Sequence, residues 1–372
     1  MGQLAIVFGG PSPEHDISIL TGLLSERVLR DAGQEVVALY WGRAGEWFQC
    51  PPRTEAKDFL DGPPTGSARL DVLLGQGFVL PKKGLGGAKQ LGLDAALNCC
   101  HGGAGESGGL NGVFDQLGIP LTGGPAPIAA LGMDKLAFGA VLQANGIPTL
   151  PRVALSSTAA PDFDGPYLVK PRFGGSSIGI ELVDDVDTAR VVGKNSVHLR
   201  QGAVLEPFSK GAVDLNLAYS TAPSFRTSLL EKPLAPAGNE GIYSYGQKYL
   251  QTDGLMAAPR ELPADVPDAV TEQARVLAAA VVEVTGLKGL GRLDFLLVDD
   301  VLYVNEVNTI PGSMSLYLWP AEVSAAELLL SAVEEAKEGF GRSDPAPFEP
   351  GAALRAAGGM AGKLGQIGQT PR

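Results

Sequence analysis

An open α/β sheet followed by two smaller α+β units is the fold class that this sequence predicts, and three features predict it. The run LAIVF at 4–8 is continuously apolar, the mark of a buried parallel strand. Strand-like and helix-like runs alternate after it, as they do when helices cover a parallel sheet. Short loops rich in glycine follow several of the strands, in a chain with 50 glycines among 372 residues. Ligands of open α/β sheets sit at such strand ends.

The elements follow in order. GGPSPEHDIS (9–18) leaves the first strand and opens a helix, with Ile17, Leu20, Leu24 and Val28 expected on its buried face and Gly33 as its stop. EVVALY (35–40) and DAALN (94–98) read as further strands. Residues 51–90, rich in Pro and Gly, interrupt them, and DVLLGQGFVL can supply one strand there. This first unit spans 1–124. A second, 125–211, holds one or two helices over 128–145, then YLVK (167–170) and VLEPF (204–208) as strands, with a glycine loop and a helical stretch between them. A third, 212–338, holds the strand LNLAYS, a Gly/Tyr-rich segment at 238–252, a long helix at 267–285 and a hairpin at 292–308. Residues 339–372 lack apolar periodicity and are expected to form a partly disordered tail.

Composition narrows the function. Lys and Arg number 29 against 41 Asp and Glu, a net charge of −12, so the chain lacks the basic footprint of a nucleic-acid binder. Three cysteines cannot staple a chain of this size and point to a reducing compartment. No apolar run reaches the roughly 18 residues needed to cross a bilayer, and the start of the chain lacks a signal-peptide layout. A cytoplasmic protein without a membrane or nucleic-acid partner is expected. The GxxxxGK[ST] phosphate loop is absent, which disfavours that class of nucleotidase.

Four loops carry candidate chemistry. GGPSPEHDIS offers backbone N–H groups and the Glu14 carboxylate. HGGAGESGG (101–109) offers His101 and Glu106, and the preceding Cys99 and Cys100 are expected to be buried as small hydrophobes. LVKPRFGGSSIGI (168–180) sets Lys170 at the end of an apolar strand, ahead of a Gly-Gly-Ser-Ser loop able to fold over polyphosphate; Ile178 and Ile180 are expected to resume strand alternation. GLGRLDFLLVDDVLYVNEVNTIPG (289–312) reads as strand, turn, strand. Period 2 places Arg292 and Asp294 on one face, and Glu306 and Asn308 share a face on the return strand. These hard oxygen donors suit Mg²⁺, which takes its remaining ligands from water and substrate phosphates. A two-residue turn at 299–300 would pair Asp294 with Asn305, and a three-residue turn at 299–301 would pair it with Glu306. The second register is expected.

Taken together, GGPSPEHDIS, HGGAGESGG, MDK (133–135), VKPRFGGSSIG, QKY (247–249), GRLDF and NEVNTIPG occur in an order that resembles the ATP-grasp superfamily, and within it the D-alanine–D-alanine ligase family. The resemblance covers roughly residues 4–320. It implies a three-unit architecture with an N-terminal α/β domain, and ATP held between two α+β units with Mg²⁺ or Mn²⁺ as two ions. It implies a ligase joining two amino acids through an acyl phosphate, for peptidoglycan synthesis. By motif, Glu14 would receive the donor ammonium with Ser176 holding it, and His101 would lie near the donor. Lys135, Lys170, Ser176 and Ser177 would meet the nucleotide phosphates, Glu206 the adenine pocket and Asp214 the ribose. Lys248 and Tyr249 would sit in a mobile closing loop. Arg292 and the Gly312 N–H would face the tetrahedral oxyanion, and Asp294, Glu306 and Asn308 would hold the metal. The resemblance leaves a homodimer open.

Departures from the family pattern bear on the acceptor. Asp214 stands where a glutamate is usual, and Ser107 and Asn111 replace Asp and Gln. After NTIPG the run is SMSLYLWP, so Tyr317 falls where the family has a serine for the acceptor carboxylate, with Ser315 two residues earlier. The leading reading is D-alanine in both places. The alternative is a ligase of the same fold with another acceptor, in specialised metabolism. A nucleotide-binding regulator without catalysis is disfavoured by the joint presence of Lys170, Arg292, Asp294, Glu306 and Asn308.

Overall fold

The computed structural model describes residues 2–81, 88–155, 160–234, 259–341 and 351–357. The chain divides into two compact units, Met1–Glu338 and Gly339–Arg372. Within the described part of the second lies a short helix, Ala352–Ala356.

In the first unit, β1 (Gln3–Gly9), β2 (Val36–Trp41), β3 (Trp47–Cys50), β4 (Ala68–Leu73), β5 (Gly77–Leu80), β6 (Lys89–Gln90) and β7 (Leu93–Asn98) form one sheet, in the order β6-β5-β4-β3-β2-β1-β7. The apolar run at 4–8 is central, with β1 parallel to both β2 and β7, and Ala5 through Phe8 have no exposed surface. Residues 51–90 give an antiparallel hairpin, β4 with β5, where one strand was expected. The carboxyl ends of β1 and β7 carry the first two glycine loops, and the second of these winds into α2 (Gly103–Glu106) and α3 (Gly109–Leu117).

Helix α1 (His15–Asp31) crosses from β1 to β2, and its buried face is the expected one only in part: Ile17 is buried and Val28 packs half-buried against the core, but Leu20 and Leu24 do not. Leu20 and Leu24 are 40% and 39% exposed, whereas Ser18, Thr21, Gly22, Ser25 and Leu29 are buried. Close approach explains this. A β-carbon at Gly22 would lie 2.4 Å from the Phe8 ring. The Ser18 hydroxyl accepts from the Gly9 N–H at 2.7 Å and donates to the Cys99 carbonyl at 2.8 Å, tying the helix to both strand ends. Small and hydroxylated residues therefore share the sheet-facing side with Leu23 and Leu29, and Leu20 and Leu24 look outward. Cys99 and Cys100 are fully buried, as expected, and burial pushes the Cys99 thiol up to about 12.

Helices α4 (Ala126–Met133) and α5 (Lys135–Ala144) meet at Asp134, which caps α5 by accepting from the Leu136 and Ala137 N–H groups. The second sheet orders β8 (Val153–Ala154), β9 (Tyr167–Pro171), β10 (Glu181–Val183) and β11 (Ala203–Pro207) as β10-β9-β11-β8, with α6 (Val186–Asn195) beside it. Strand structure resumes only at Glu181, so Ile178 and Ile180 belong to the turn, where Ser176 and Ser177 take φ of 53° and 57°.

The third sheet holds β12 (Val213–Ser220), β13 (Arg226–Pro233), β14 (Arg260–Glu261), β15 (Leu290–Val298) and β16 (Val301–Asn308), antiparallel in the order β14-β13-β12-β15-β16. Helix α7 (Asp268–Thr285) covers one face, packing Leu277 and Val281 with Leu215, Leu293, Phe295 and Val304. The polar residues take the other face. Helix α8 (Ala325–Gly339) adds Leu328 and Leu329 to the core that contains Ile6 and Phe8.

The expected pairing of Asp294 with Glu306 is present, but not through a three-residue turn. Val298 pairs with Val301, so the turn has two residues, Asp299 and Asp300, at φ of 47° and 62°. Both positive angles suit the right-handed twist of a hairpin. The register then shifts by one between Asp294 and Phe295, leaving Asn305 as a bulge.

Replacing Gly22 by valine drives a branched side chain into Phe8. The thermal midpoint is expected to drop by an amount equivalent to about 1–3 kcal/mol, the usual cost of overpacking. An unchanged midpoint would show that the helix is not pressed on β1.

Candidate active site

Three loops and one sheet face converge. The Glu14 carboxylate, on a residue 8% exposed, accepts a short hydrogen bond from the Ser176 hydroxyl across 162 positions of sequence. A β-carbon at Gly102 would lie 2.4 Å from this carboxylate, and Gly102 has φ of 65°, so only glycine allows that loop so near. The Ser12 hydroxyl donates to the His101 carbonyl at 2.6 Å and accepts from the Glu14 N–H at 3.1 Å, fixing both loops together.

His101 and Glu106 are buried beside them. The His101 Nε2 lies 2.8 Å from the Thr21 hydroxyl, which also accepts from the Ser313 N–H at 3.0 Å. Burial, helped by the charge of Arg292, lowers the His101 imidazole to about 4. Glu106 accepts from the Gly102 N–H at 2.9 Å and lies 3.4 Å from both the Thr309 hydroxyl and the Ile310 N–H. Burial, then the nearby Glu14 charge, raises its carboxyl to about 7. At neutral pH the histidine is uncharged and Glu106 is partly protonated.

Lysines line the opposite side. The Lys135 ammonium, on the first turn of α5, donates to the Gly174 carbonyl at 2.6 Å and lies 3.0 Å from Glu306. Asp134 binds Arg172, which holds α5 against the loop after β9; although burial works against it, those bonds keep the Asp134 carboxyl below its ordinary value. Lys170, at the end of β9, lies 2.6 Å from Glu206, and Arg152 lies 2.7 Å from the other oxygen of the same carboxylate. Glu206 is fully buried; burial would raise its carboxyl, and the two cations outweigh that and hold it low. Its two oxygens are thus engaged by cations. Arg152 also donates from Nη1 to the Lys135 carbonyl at 3.0 Å and from Nη2 to the carbonyl of the bulged Asn305.

The polar face of the third sheet closes the site. Glu231, Asn216, Asp294 and Glu306 stand in register across β13, β12, β15 and β16. Arg292 holds Asp294 through two hydrogen bonds of 2.6 and 2.8 Å, and the Asn308 amide donates to it at 3.1 Å. Asp214 lies on β12 two residues before Asn216, hence on the same face, and is exposed. After Pro311, Gly312 opens a turn in which Ser313, Met314 and Ser315 have φ near 50°. Ser315 is fully buried, and its hydroxyl has no partner among the described residues. Tyr317 is half-buried, with the Arg260 guanidinium 4.6 Å from its ring centre. Lys248, Tyr249 and the segment 238–252 lie outside the described residues.

The donor set fits magnesium by chemistry. Among the described residues no group of three His, Cys, Asp or Glu side chains gathers as a cage. Two carboxylates and an amide on adjacent strands, flanked by Lys135 and Arg292, are instead the small oxygen set that magnesium takes when phosphates complete its shell.

Sequence reasoning placed the Glu14–Ser176 and Asp294–Glu306 pairs. It missed Arg152, Thr21, Asn216, Glu231 and Arg260. Only Asn216 had a visible signal, because Asp214 and Asn216 alternate with Leu215 and Leu217.

Comparison with known proteins bears on the fold and the family. A family model described as D-ala D-ala ligase N-terminus matches residues 3–124, and one described as D-ala D-ala ligase C-terminus matches 129–332. A D-alanine–D-alanine ligase of Sodalis glossinidius is 30% identical over 338 residues, 86% of this chain and 89% of its own length. Among solved structures, D-alanyl-alanine synthetase A of Vibrio cholerae superposes with a TM-score of 0.73 at 21% identity, over 91% of this chain and 98% of that one. The VanG D-Ala:D-Ser ligase of Enterococcus faecalis gives 0.71 at 20% identity, over 90% and 99%. These two show a shared fold.

The buried pair His101 and Glu106 sets opposite pH dependences. His101 loses charge on folding, so its contribution to stability falls as pH drops from about 6.5 to 4. Glu106 binds its proton more tightly when folded, so its contribution grows as pH drops from about 7 to 4.5. Denaturant titrations across pH 4.5–6.5 should show Glu106→Gln losing stability more steeply on acidification than the parent. Parallel curves would contradict the assignment.

The matched N- and C-terminal models together span most of the sequence, and so the fold, the motif order and the relatives lead to one statement: this chain belongs to the D-alanine–D-alanine ligase family.

Proposed function

We propose that the protein joins two D-alanines with ATP, supplying a peptidoglycan precursor in the cytoplasm. The observation that carries this reading is the convergence of two sites: a carboxylate cradle at Glu14 and a phosphate-facing set of Lys135, Lys170, Asp294, Glu306 and Asn308. One suits an amino acid's ammonium group, the other a polyphosphate.

The chemistry follows from charge. The donor's carboxylate is a poor electrophile. Transfer of the γ-phosphoryl group to its oxygen releases ADP and gives an acyl phosphate. The acceptor's amine then attacks the acyl carbon, the C–O bond to phosphate breaks, and the amine proton is lost. Phosphoryl transfer asks the protein for position and charge neutralisation, not for a nucleophile.

In this scheme Glu14, held by Ser176, receives the donor ammonium, with neutral His101 beside it. Tyr249 belongs by motif to the closing loop and would act catalytically there; it lies outside the described residues. Lys135 and Lys170 meet the nucleotide phosphates, together with Ser177 and Lys248. Glu206, which matches the adenine-pocket residue by motif, holds Lys170 and Arg152 through its two oxygens, and Asp214 faces the ribose. Asp294, Glu306 and Asn308 would hold magnesium or manganese, as two ions; when bound, the metal neutralises phosphate oxygens. Release of Asp294 frees the Arg292 guanidinium to face the developing oxyanion with the Gly312 N–H. We divide the chain at 124, 211 and 338 into the three units and tail of this architecture, and a homodimer is compatible with it. Among the described residues no helix is long and apolar enough to cross a membrane.

A second reading, a ligase with a different acceptor, is favoured by one observation: Tyr317, with Arg260 over its ring, stands at the acceptor position by motif.

Phosphate release from ATP, screened across D- and L-amino acids and hydroxy acids, separates the two. Strong release with D-alanine alone, with D-alanyl-D-alanine as product, is expected. Release that needs a different second substrate would establish the other reading, and no release with any amine would refute both. With D-alanine, Arg292→Ala should lower kcat by about 10²–10³-fold, the scale for losing an oxyanion donor. A loss confined to KM would contradict that role.

A further inference from the structure

We infer that Arg260, stacked on Tyr317, receives the carboxylate of the acceptor amino acid and so sets acceptor specificity in this chain. This rests on the ligase reading above and extends it to a residue that no motif identifies.

The position comes from the sheet. Glu231, Asn216, Asp294 and Glu306 form one polar row across four strands. Its members are linked: the Asn216 amide donates to Glu231 at 2.9 Å, Arg292 and Asn308 bind Asp294, and Lys135 lies against Glu306. Arg260 ends the row opposite Lys135, with Nη1 3.3 Å from Glu231. One end of the row therefore presents a lysine to the nucleotide side, and the other presents an arginine. Glu231 and Asp294 are two strands apart, roughly 10 Å at the usual strand spacing. In the proposed pose the acceptor lies over that stretch of the row, its amine toward Arg292 and its carboxylate toward Arg260.

Tyr317 carries Arg260: its ring lies under the Arg260 guanidinium at 4.6 Å. The charges of Arg292, Glu231, Arg260 and Asp294 all act on its hydroxyl. Stacking on an aromatic face fixes the plane of a guanidinium while its N–H groups point outward from that plane's edge. Glu231, only 4% exposed, anchors it from behind. A planar fork so held matches a carboxylate in geometry and charge. A serine hydroxyl, expected here by motif, offers one neutral donor. Ser315, two residues before Tyr317, is sealed in the core with no exposed surface.

The test compares D-alanine with D-alaninamide as acceptor, with product dipeptide and dipeptide amide measured separately. The amide keeps the nucleophile and removes the negative charge. The parent enzyme should favour the acid. Arg260→Ala should reduce that preference by about 10- to 100-fold in kcat/KM, the scale of a charge-assisted hydrogen-bond pair, mainly through KM for the acceptor. Arg260→Lys should restore part of it. Tyr317→Leu, which keeps Arg260 but removes its platform, should also lower the ratio. An Arg260→Ala enzyme that keeps the parent's ratio would overturn the proposal, as would equal losses for acid and amide. Should Arg260→Ala not fold, Arg260→Gln reads the same ratio. Absence of any D-alanine-dependent product from the parent enzyme would instead refute the ligase reading itself.

Discussion

Two carboxylates facing each other on one side of a sheet repel, and the site is organised around answering that repulsion. Asp294 and Glu306 are direct neighbours on β15 and β16. Each is matched by a cation from a different direction: Arg292 along the same strand, and Lys135 from the first turn of α5. Like charges opposite one another destabilise a strand pair, whereas opposite charges support it. The arrangement holds in the protein alone, and in the function proposed above the same face would accept a metal with its phosphates. Arg292 and Lys135 can then turn from neutralising carboxylates to neutralising substrate.

The same principle runs outward. Arg152, Glu206 and Lys170 form a buried cationic–anionic–cationic group whose single carboxylate lies between two cations. Buried ion pairs are poor evidence for stability, because desolvation offsets attraction. Here the group's value is positional. Arg152 reaches the Lys135 carbonyl and the bulged Asn305 carbonyl, so one guanidinium ties α5, β11 and β16 together. The bulge at Asn305 thereby does two things: it brings Glu306 opposite Asp294, and it turns a carbonyl toward Arg152. At the acceptor end, Glu231 and Arg260 repeat the pairing two strands away.

Much of this was legible in the chain, and the exceptions have physical causes. Apolar runs marked β1, β2 and β7, whose central residues are buried on both faces. Period 2 put Arg292 with Asp294 and Glu306 with Asn308. The bulge also left a trace: Leu302 and Val304 are two apart, and Val307 follows three later, a break in alternation at Asn305 and Glu306. The buried face of α1 was partly misread, because apolar spacing favoured Leu20 and Leu24, whereas contact with Phe8 and the strand ends demanded glycine and hydroxyls. Arg152, Thr21 and Arg260 carry no local pattern. Arg152 meets Glu206 across 54 positions and Asn305 across 153, distances at which only the fold decides neighbours.

In the proposed function, Asp294 and Glu306 together make nucleotide binding depend on a divalent cation. Calorimetric titration of ATP over a range of magnesium concentrations, with the parent and with the Asp294→Asn/Glu306→Gln double variant, tests it most directly. The account predicts that magnesium tightens ATP binding to the parent and loses that effect in the folded double variant. Equal magnesium dependence in the two proteins would contradict it.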